Sequence, residues 1–488
     1  MAGFVTNALS GLLAAQRALQ TTSSNIANAT TEGYTRQRVV QVQGPVIGSG
    51  NIQFGYGTQV TGVERIYDQL LANQLTGAKT SQHKSQILNQ YALRLEGQLG
   101  DTETGIASGL QAFYQQLNTI SNDPTSSVNR QQLLAEAEAL AQRFRQMGKQ
   151  LDTLDNEINQ RLRSAVQVVN DDLVAIGQLN GEIVADGSLA ASALLDQRQI
   201  LIDRVASQID IQTVAQPDGS VNLMMTNGQP LVLSINTFRL AVTADEFDPS
   251  RLQLAHTDGT TTTVVSRKVS GGEIGGMLSF REEMLDPARR DLGQIALGIT
   301  ETFNRQNRLG LDQNGNIGGD MFATLEPLVL TSSNNSGAAT ATAVFADASS
   351  VEARDYKLRY DGAAWNFSDA TSGAPLAATG TGTGVDPFVV DGMEIVIGGG
   401  AAVSGDEFRV RPVSRAASGV NVVMLDAREI AAAGLLETSD LLTNIGSASV
   451  SDAVVDDVSN AAVLDPVTVV FDDPPNTYVL IDSFGPIS

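Results

Sequence analysis

An α+β fold is predicted: an elongated, coiled-coil-like helical rod domain with all-β outer domains inserted into it. Three observations predict it. Apolar residues recur at alternating steps of four and three over several long stretches, the signature of a helical seam. Two separated regions, about 210–268 and 330–412, switch instead to strand alternation and hairpin turns. Hydrophobic residues make up 42% of the chain and charged residues only 17%, enough apolar surface for real cores. The 488 residues allow roughly three domains at about 100–200 residues each. The order helices, strands, helix, strands reads most simply as a helical body carrying β domains at exposed tips, where insertions are tolerated.

The predicted segments are 1–62 (N-terminal helix and β linker), 63–209 (helical rod), 210–268 (inserted β domain), 269–325 (helix returning to the rod), 326–420 (outer β domain) and 421–488 (an incomplete C-terminal β region). In the first, Val5, Leu9, Leu12, Gln16, Leu19, Ser23 and Ile26 are spaced 4,3,4,3,4,3. Ala14, Ala15 and Ala18 flank that seam and would let a partner approach closely. It ends in "NIANATTEGYTRQRVV", residues 25–40. Asn25 and Asn28 can satisfy terminal carbonyls there, and Gly33 permits positive φ where the chain reverses. A β-like stretch follows.

Helix is expected again from about Val63 to Leu99, with Leu88, Ala92, Leu95 and Leu99 in line. Ile106, Leu110, Phe113, Leu117 and Ile120 form the next helix, which the Asp123-Pro124 pair ends. A long helix then starts near Ser126. Its seam is Leu133, Ala137, Leu140, Phe144, Met147, Leu151, Leu154, Ile158 and Leu162, and at some 55 residues it would run about 80 Å. The 4,4 step at Leu154–Ile158–Leu162 is a stutter, which locally unwinds a supercoil. A shorter helix covers about Ala190 to Gln208.

Asn227-Gly228 marks a hairpin in the first β region, and "HTDGTTTTVV" a second. A helix over about Leu278–Asn307 would bury Leu292, Ile295, Ala296, Ile299 and Phe303. In the second β region Ile395 and Ile397 alternate out to the Gly398–Gly400 turn, and Phe408 and Val410 alternate back. "GAPLAATGTGTGVDP" reads as a flexible loop or tip. After Ala431 no heptad helix is legible, and "NTYVLIDSFGPIS" reads as a strand and a turn.

Composition narrows the chemistry. The net charge is −23, which repels phosphate backbones and argues against nucleic acid as a partner. The chain has no cysteine, so disulfides, thiolate zinc sites and a Cys nucleophile are excluded. His83 and His256 stand alone, each read as a solvated residue. "LDQNGNIGGD" places Asp312, Asn314 and Asn316 as in a calcium loop, but Ile317 stands where Gly is required and Ala323 where a bidentate Glu belongs. An Asn/Gly turn is the better reading. "GTGTG" at 380–384 lacks the Lys-Ser/Thr of a phosphate loop. The pairs Glu282-Glu283 and Asp472-Asp473 are adjacent in sequence and read as solvated charge. No Ser-His-Asp set assembles. No catalytic, cofactor or metal site is expected. "LSGLLAAQRAL" is too short and too polar for a signal-peptide core or a membrane span, so neither a cleaved signal nor a membrane partner is expected.

"SGLLAAQRALQTTSSNIANATTEGYTRQRVV" resembles the N-terminus of bacterial flagellar axial proteins, through Asn25, Ile26, Ala27, Asn28, Thr31, Gly33 and Tyr34. Thr35-Arg36-Gln37 points to the hook-associated protein 1 (FlgK-type) family over rod or hook proteins. "GGEIGGMLSFREEMLDPARRDLGQIALGITETFNRQNRLGLDQNGNIGGDMF" and "DGMEIVIGGGAAVSGDEFRVRPVSRAASGV" resemble that family's central helix and outer β region. The resemblance implies a non-enzymatic subunit of the flagellar hook–filament junction, extracellular and exported without a cleaved signal. The implied partners are copies of itself in a ring, hook protein, a second junction protein of the hook-associated protein 3 type, an export chaperone and the flagellar type III export apparatus.

In that family the N-terminal helix packs against a C-terminal helix. No such helix is legible here, so a truncated product, a shortened gene or a partner chain is expected, and the region implied for chaperone binding is absent with it. The implied assembly residues are Val5, Leu9, Leu12, Leu19, Ile26, Asn25, Asn28, Gly33 and Tyr34. Two alternatives stay open: another axial protein of hook or distal rod type, and a surface enzyme carried on a flagellar scaffold.

Overall fold

The computed structural model describes residues 2–44, 46–49, 52–55, 57–101, 105–186 and 192–436, and beyond them 438–439, 451, 455, 458, 465–472, 477–482 and 485–486. The chain opens with helix α1 (Ala2–Ala27), then strands β1 (Gln37–Gln43), β2 (Val46–Ser49), β3 (Ile52–Gly55) and β4 (Thr58–Arg65). Helices α2 (Gln69–Leu99), α3 (Ile106–Asn122), α4 (Ser127–Asp186) and α5 (Ser192–Gln208) follow. Strands β5 (Ile211–Ala215), β6 (Val221–Met225), β7 (Pro230–Leu233), β8 (Asn236–Thr237), β9 (Arg239–Ala244), β10 (Leu252–Thr257) and β11 (Thr262–Val264) lead to α6 (Gly272–Phe280). One π-helical turn (Arg281–Leu285) joins α6 to α7 (Asp286–Arg308).

Next come β12 (Gly310–Leu311), β13 (Leu328–Thr331), β14 (Ala341–Phe345), β15 (Tyr356–Tyr360), β16 (Trp365–Asp369), β17 (Pro375–Leu376), β18 (Phe388–Val390), β19 (Met393–Ile397) and β20 (Glu407–Arg411). A short α8 (Ala416–Gly419), β21 (Ala433–Gly434), β22 (Thr468–Asp472), β23 (Thr477–Asp482) and β24 (Gly485–Pro486) complete the described elements. The fold is mixed α+β with a long helix, and every strand pairing is antiparallel.

The chain divides into two compact units, Met1–Leu93 with Asp155–Met284, and Arg94–Leu154 with Leu285–Ser488. The divisions fall inside α2, inside α4 and in the π-turn. The seam of α4 is buried along its whole predicted length, from Leu133 through Leu162, and continues through Val169, Leu173 and Ile176. Sixty residues of helix are therefore held by burial of one stripe, since propensity alone contributes little to helix stability in proteins.

In the first unit, Tyr91 of α2 stacks on Phe280 of α6 at 5.1 Å. Arg281 is buried at the start of the π-turn. Its guanidinium pairs with Asp155 at 2.6 Å and donates to the Leu252 carbonyl and to Asn159 Oδ1, so the cation is compensated inside the unit. The β elements are a β1–β4 ribbon, a β2–β3 hairpin, a sheet β5-β6-β7-β8 and a sheet β11-β10-β9. Asn227-Gly228 makes the β6–β7 turn, with Gly228 at φ 86°.

In the second unit, Phe113 of α3, Phe303 of α7 and Phe322 form an aromatic cluster with centroids 5.5–6.1 Å apart. Asn304 ties it down, donating to the Phe322 carbonyl and accepting from the Met321 and Phe322 amides. Gly293 of α7 lies under the Val413 carbonyl so closely that a Cβ would stand 1.8 Å from the oxygen. Its larger sheets are β13-β20-β15-β16-β17 and β14-β19-β18.

Several expectations change. Strand β4 runs to Arg65 where helix was expected. The helix begins at Gln69 because Asp68 Oδ1 caps it, accepting from the Leu70 and Leu71 amides. Leu95 is buried as expected, but its companions on the buried line are Ile87 and Tyr91, each one residue before the expected Leu88 and Ala92, which are half-buried, and Leu99 is exposed. Helix resumes at Gly272, before Leu278, because Gly272 at φ 70° sits against the Gln208 carbonyl and opens α6. On α7, Leu292 and Ala296 are buried as expected, Ile299 and Phe303 are half-buried, and Ile295 is exposed.

Strands β19 and β20 do not form a hairpin. The first pairs with β14 and β18, the second with β13 and β15, because the two alternating faces close different sheets. The Gly-rich 374–387 loop contains β17 and leads to a Thr379–Val389 bridge, with Gly382 at φ 77° against the Phe388 ring. His256 is buried, its Nε2 2.6 Å from the Pro230 carbonyl. His83 lies half-exposed, 3.9 Å from Glu273. At 312–316 the Asp312 carboxylate accepts from the Asn314 and Asn316 amides, which is an Asn/Gly turn. Asp473, and most of the stretch after Ala431 where no helix was legible, lie outside the described residues.

Phe113→Ala should lower the stability of the second unit by about 3–5 kcal/mol in denaturant unfolding, the usual range for an aromatic removed from a core. Glu301 supplies a pH test. Burial holds its carboxyl above the usual range, with Asp320 adding to that and Arg308 opposing it. Its Oε1 has no hydrogen-bond partner. A raised folded-state value means the unfolded chain ionises first, so the group costs nothing in acid and destabilises as pH rises through the carboxylate range. Glu301→Gln should therefore melt higher than wild type at about pH 7, and the gain should vanish by about pH 3.

Candidate assembly surface

Helix α1 has two faces with different partners. Ser10, Ala14, Ala18, Thr21, Asn25 and Asn28 form the small and polar face, with Ala14 buried at 3% exposure and the others half-buried. This face lies on the β1–β4 ribbon of the same chain. Ser10 makes the approach close. Its Oγ accepts from the Thr58 amide, and a Cβ on Gly57 would lie 2.0 Å from it. Gly57, at φ 75°, is required there.

Val5, Leu9, Leu12, Leu19 and Ile26 project from the opposite face, 51–72% exposed. At about 100° per residue they fall in one stripe, roughly a half-turn from Ala14. Phe4 and Leu13 widen it and are exposed too. The structure thus brings these five expected residues together on one open face.

It places the other four elsewhere. Asn25 does not serve its own helix's carbonyls. Its Oδ1 accepts from the Gln37 amide and the Tyr34 hydroxyl, both at 2.9 Å, and its Nδ2 donates to the Gln37 carbonyl at 2.8 Å. The side chain therefore mimics a β partner for the first residue of β1 and clamps the reversal. Asn28 behaves as expected, donating to the Ser24 carbonyl at 3.0 Å. Gly33 adopts φ 78°, and a Cβ there would stand 2.3 Å from Ile200 Cγ1 of α5. Tyr34 is half-buried within the clamp.

Sequence reasoning missed the residues of α5 that receive this turn. Asp196, buried, accepts from the Thr35 amide at 3.3 Å and pairs with Arg65 at the end of β4 at 2.9 Å. Arg65 also lies over the Tyr67 ring at 4.7 Å, and Tyr67 donates to Gln199. Nearby Arg198 donates to the Asn180 side chain and the Gly219 carbonyl. Burial, and secondarily the charge of Arg65, lowers its pKa to about 10. Asp196 lies more than 160 residues from the turn it holds, so no local pattern announces it. Among the described residues no group of three or more His, Cys, Asp or Glu is placed to hold a metal, and no helix is long and apolar enough to cross a membrane.

Three family models match the chain. The helical domain of flagellar hook-associated protein FlgK matches residues 92–322, a D2-like domain of flagellar hook-associated protein 1 matches 330–412, and a flagella basal body rod protein model matches 6–35. The flagellar hook-associated protein 1 of Escherichia coli K12 is 33% identical over 447 residues, which is 90% of this chain and 81% of that protein. The chain belongs to the flagellar hook-associated protein 1 (FlgK) family. The Bacillus subtilis member is 29% identical over 64% of this chain and 68% of its own. The solved flagellar hook junction protein FlgK from Burkholderia pseudomallei superposes with a TM-score of 0.69 at 30% identity, covering 74% of this chain and 66% of that one. The rod-protein match, 6–35, spans the α1 stripe and the clamp together, apart from Val5 and Gln37.

Asn25→Ala removes three hydrogen bonds and leaves the Gln37 amide unpartnered. At about 0.5–1.5 kcal/mol for each bond, exchange of the Gln37 amide hydrogen should speed up roughly ten- to a hundredfold or more. Exchange in α4 should not change.

Proposed function

We propose that this FlgK-family chain is a structural subunit of the bacterial flagellum, placed where hook meets filament, and that it works by packing and not by catalysis. The observation that carries the reading is the face of α1 left open. A helix that already docks its small residues on its own ribbon still presents Val5, Leu9, Leu12, Leu19 and Ile26 to solvent. An apolar stripe of this length on a soluble chain marks a surface meant to be covered. Each large side chain fully buried there contributes roughly 1.5–3 kcal/mol, so a few residues suffice for a stable contact.

Flagellar location and association with hook and filament components follow from the family. The finer reading is ours. Copies pack side by side in a ring through heterologous contacts, which repeat around an axis. Hook protein lies on one side and a second junction protein of the hook-associated protein 3 type on the other. The chain reaches the cell exterior through the flagellar type III export apparatus, attended by a chaperone and without a cleaved signal. Asn25, Asn28, Gly33 and Tyr34 serve this assembly by fixing how α1 leaves the body, and the five apolar residues supply the contact.

Leu12→Asp, put in place of the natural gene, should leave the secreted monomer folded by circular dichroism and abolish filament attachment seen by negative-stain microscopy. The milder Leu12→Ser should weaken self-association by about tenfold, the equivalent of roughly 1.4 kcal/mol. Normal filaments on Leu12→Asp cells would sink the reading.

A further inference from the structure

We infer that Asp196 of α5 and Arg65 of β4 form a latch that sets the direction of α1 for assembly. The inference rests on the reading of α1 as the assembly arm. The arm meets the helical part of its unit at a short joint, residues 28–36, and three contacts from α5 close on that joint and its ribbon. Ile200 fills the space under Gly33, where a Cβ would already clash. Asp196 accepts from the Thr35 amide, two residues before Gln37, where the strand-side half of the clamp begins. The same carboxylate pairs with Arg65, whose Nη2 also donates to the Thr35 hydroxyl at 3.0 Å. One buried acid therefore holds the end of the arm and the last residue of the ribbon on which the arm lies.

Buried charge holds the latch closed. The side chains of Arg65 and Asp196 are 10% and 11% exposed, so neither charge has free access to water. Arg198 stands close by with neutral hydrogen-bond partners, Asn180 and the Gly219 carbonyl. The Asp196 carboxylate compensates Arg65 directly. With that charge removed, Arg65 is left buried beside Arg198, and it regains solvent only if β4 lifts away from α5. The ribbon carries α1, so lifting it frees the arm's direction while the helical packing of α4 on α5 has no reason to change. Asp196 is thus a positioning residue, acting on the assembly stripe through Thr35 and Arg65.

The chain contains no cysteine, so two can be introduced cleanly. Ala15→Cys and Gln197→Cys, both exposed, take spin labels on the arm and on α5. In the full-length protein the label–label distance distribution should be narrow. Asp196→Asn should broaden it and speed tryptic cleavage after Arg36 and Arg38 at least tenfold. It should impair filament attachment in cells, with the far-UV spectrum unchanged. Asp196→Glu should restore all three, which a general loss of packing would not allow. A narrow distribution and unchanged cleavage in Asp196→Asn overturn the latch. Should Asp196→Asn unfold as a whole, Arg65→Gln decides the matter, and a narrow distribution there overturns it equally. Normal attachment with a freed arm also overturns it while leaving the stripe reading intact, whereas normal attachment in Leu12→Asp removes that reading itself.

Discussion

The contact between α1 and its own β1–β4 ribbon is the constraint on which the rest depends. A helix can bury an apolar stripe or a small polar one, and here it buries the small one. Ala14, Ser10 and Gly57 let helix and ribbon approach closely. Asn25 then supplies the hydrogen bonds that a neighbouring strand would have given Gln37. The large residues are left outside, and among the described residues no segment covers them. An exposed stripe would ordinarily be a liability. On this reading of the chain it is the surface proposed for subunit contact.

Both units bury paired charges. The first pairs Arg281 with Asp155 and Arg65 with Asp196, with Asn159 accepting from Arg281 and Asn180 from the neighbouring Arg198. Such pairs cost desolvation and return specificity of position more than stability. The second buries the pair Arg411–Asp355 as well, and Asn304 ties down the aromatic cluster of Phe113 and Phe322.

Some of this was legible in residues alone. The α4 seam from Leu133 to Leu162 is buried as its spacing implies, because a spacing kept over nine residues leaves little freedom over which face turns inward. The Asn227-Gly228 hairpin forms because its glycine needs positive φ. Short patterns fared worse. The α2 line shifted by one residue to Ile87 and Tyr91, since Tyr91 finds Phe280 to stack on, and no count along α2 contains that partner. Ile395 and Phe408 each alternate correctly, yet alternation says which face is buried and nothing about which strand lies alongside.

The sequence by itself determined the mixed fold class, the helical seams, the apolar stripe of α1 and the family, because all of these are written in local periodicity and in short motifs. Tertiary structure alone decided that the stripe stays uncovered within the described chain, that Asn25 clamps a strand and not a helix end, and that Asp196 receives the joint. The physical reason is range. Periodicity fixes the direction of a side chain relative to its own backbone, whereas burial and ion pairing depend on which distant segment arrives opposite it.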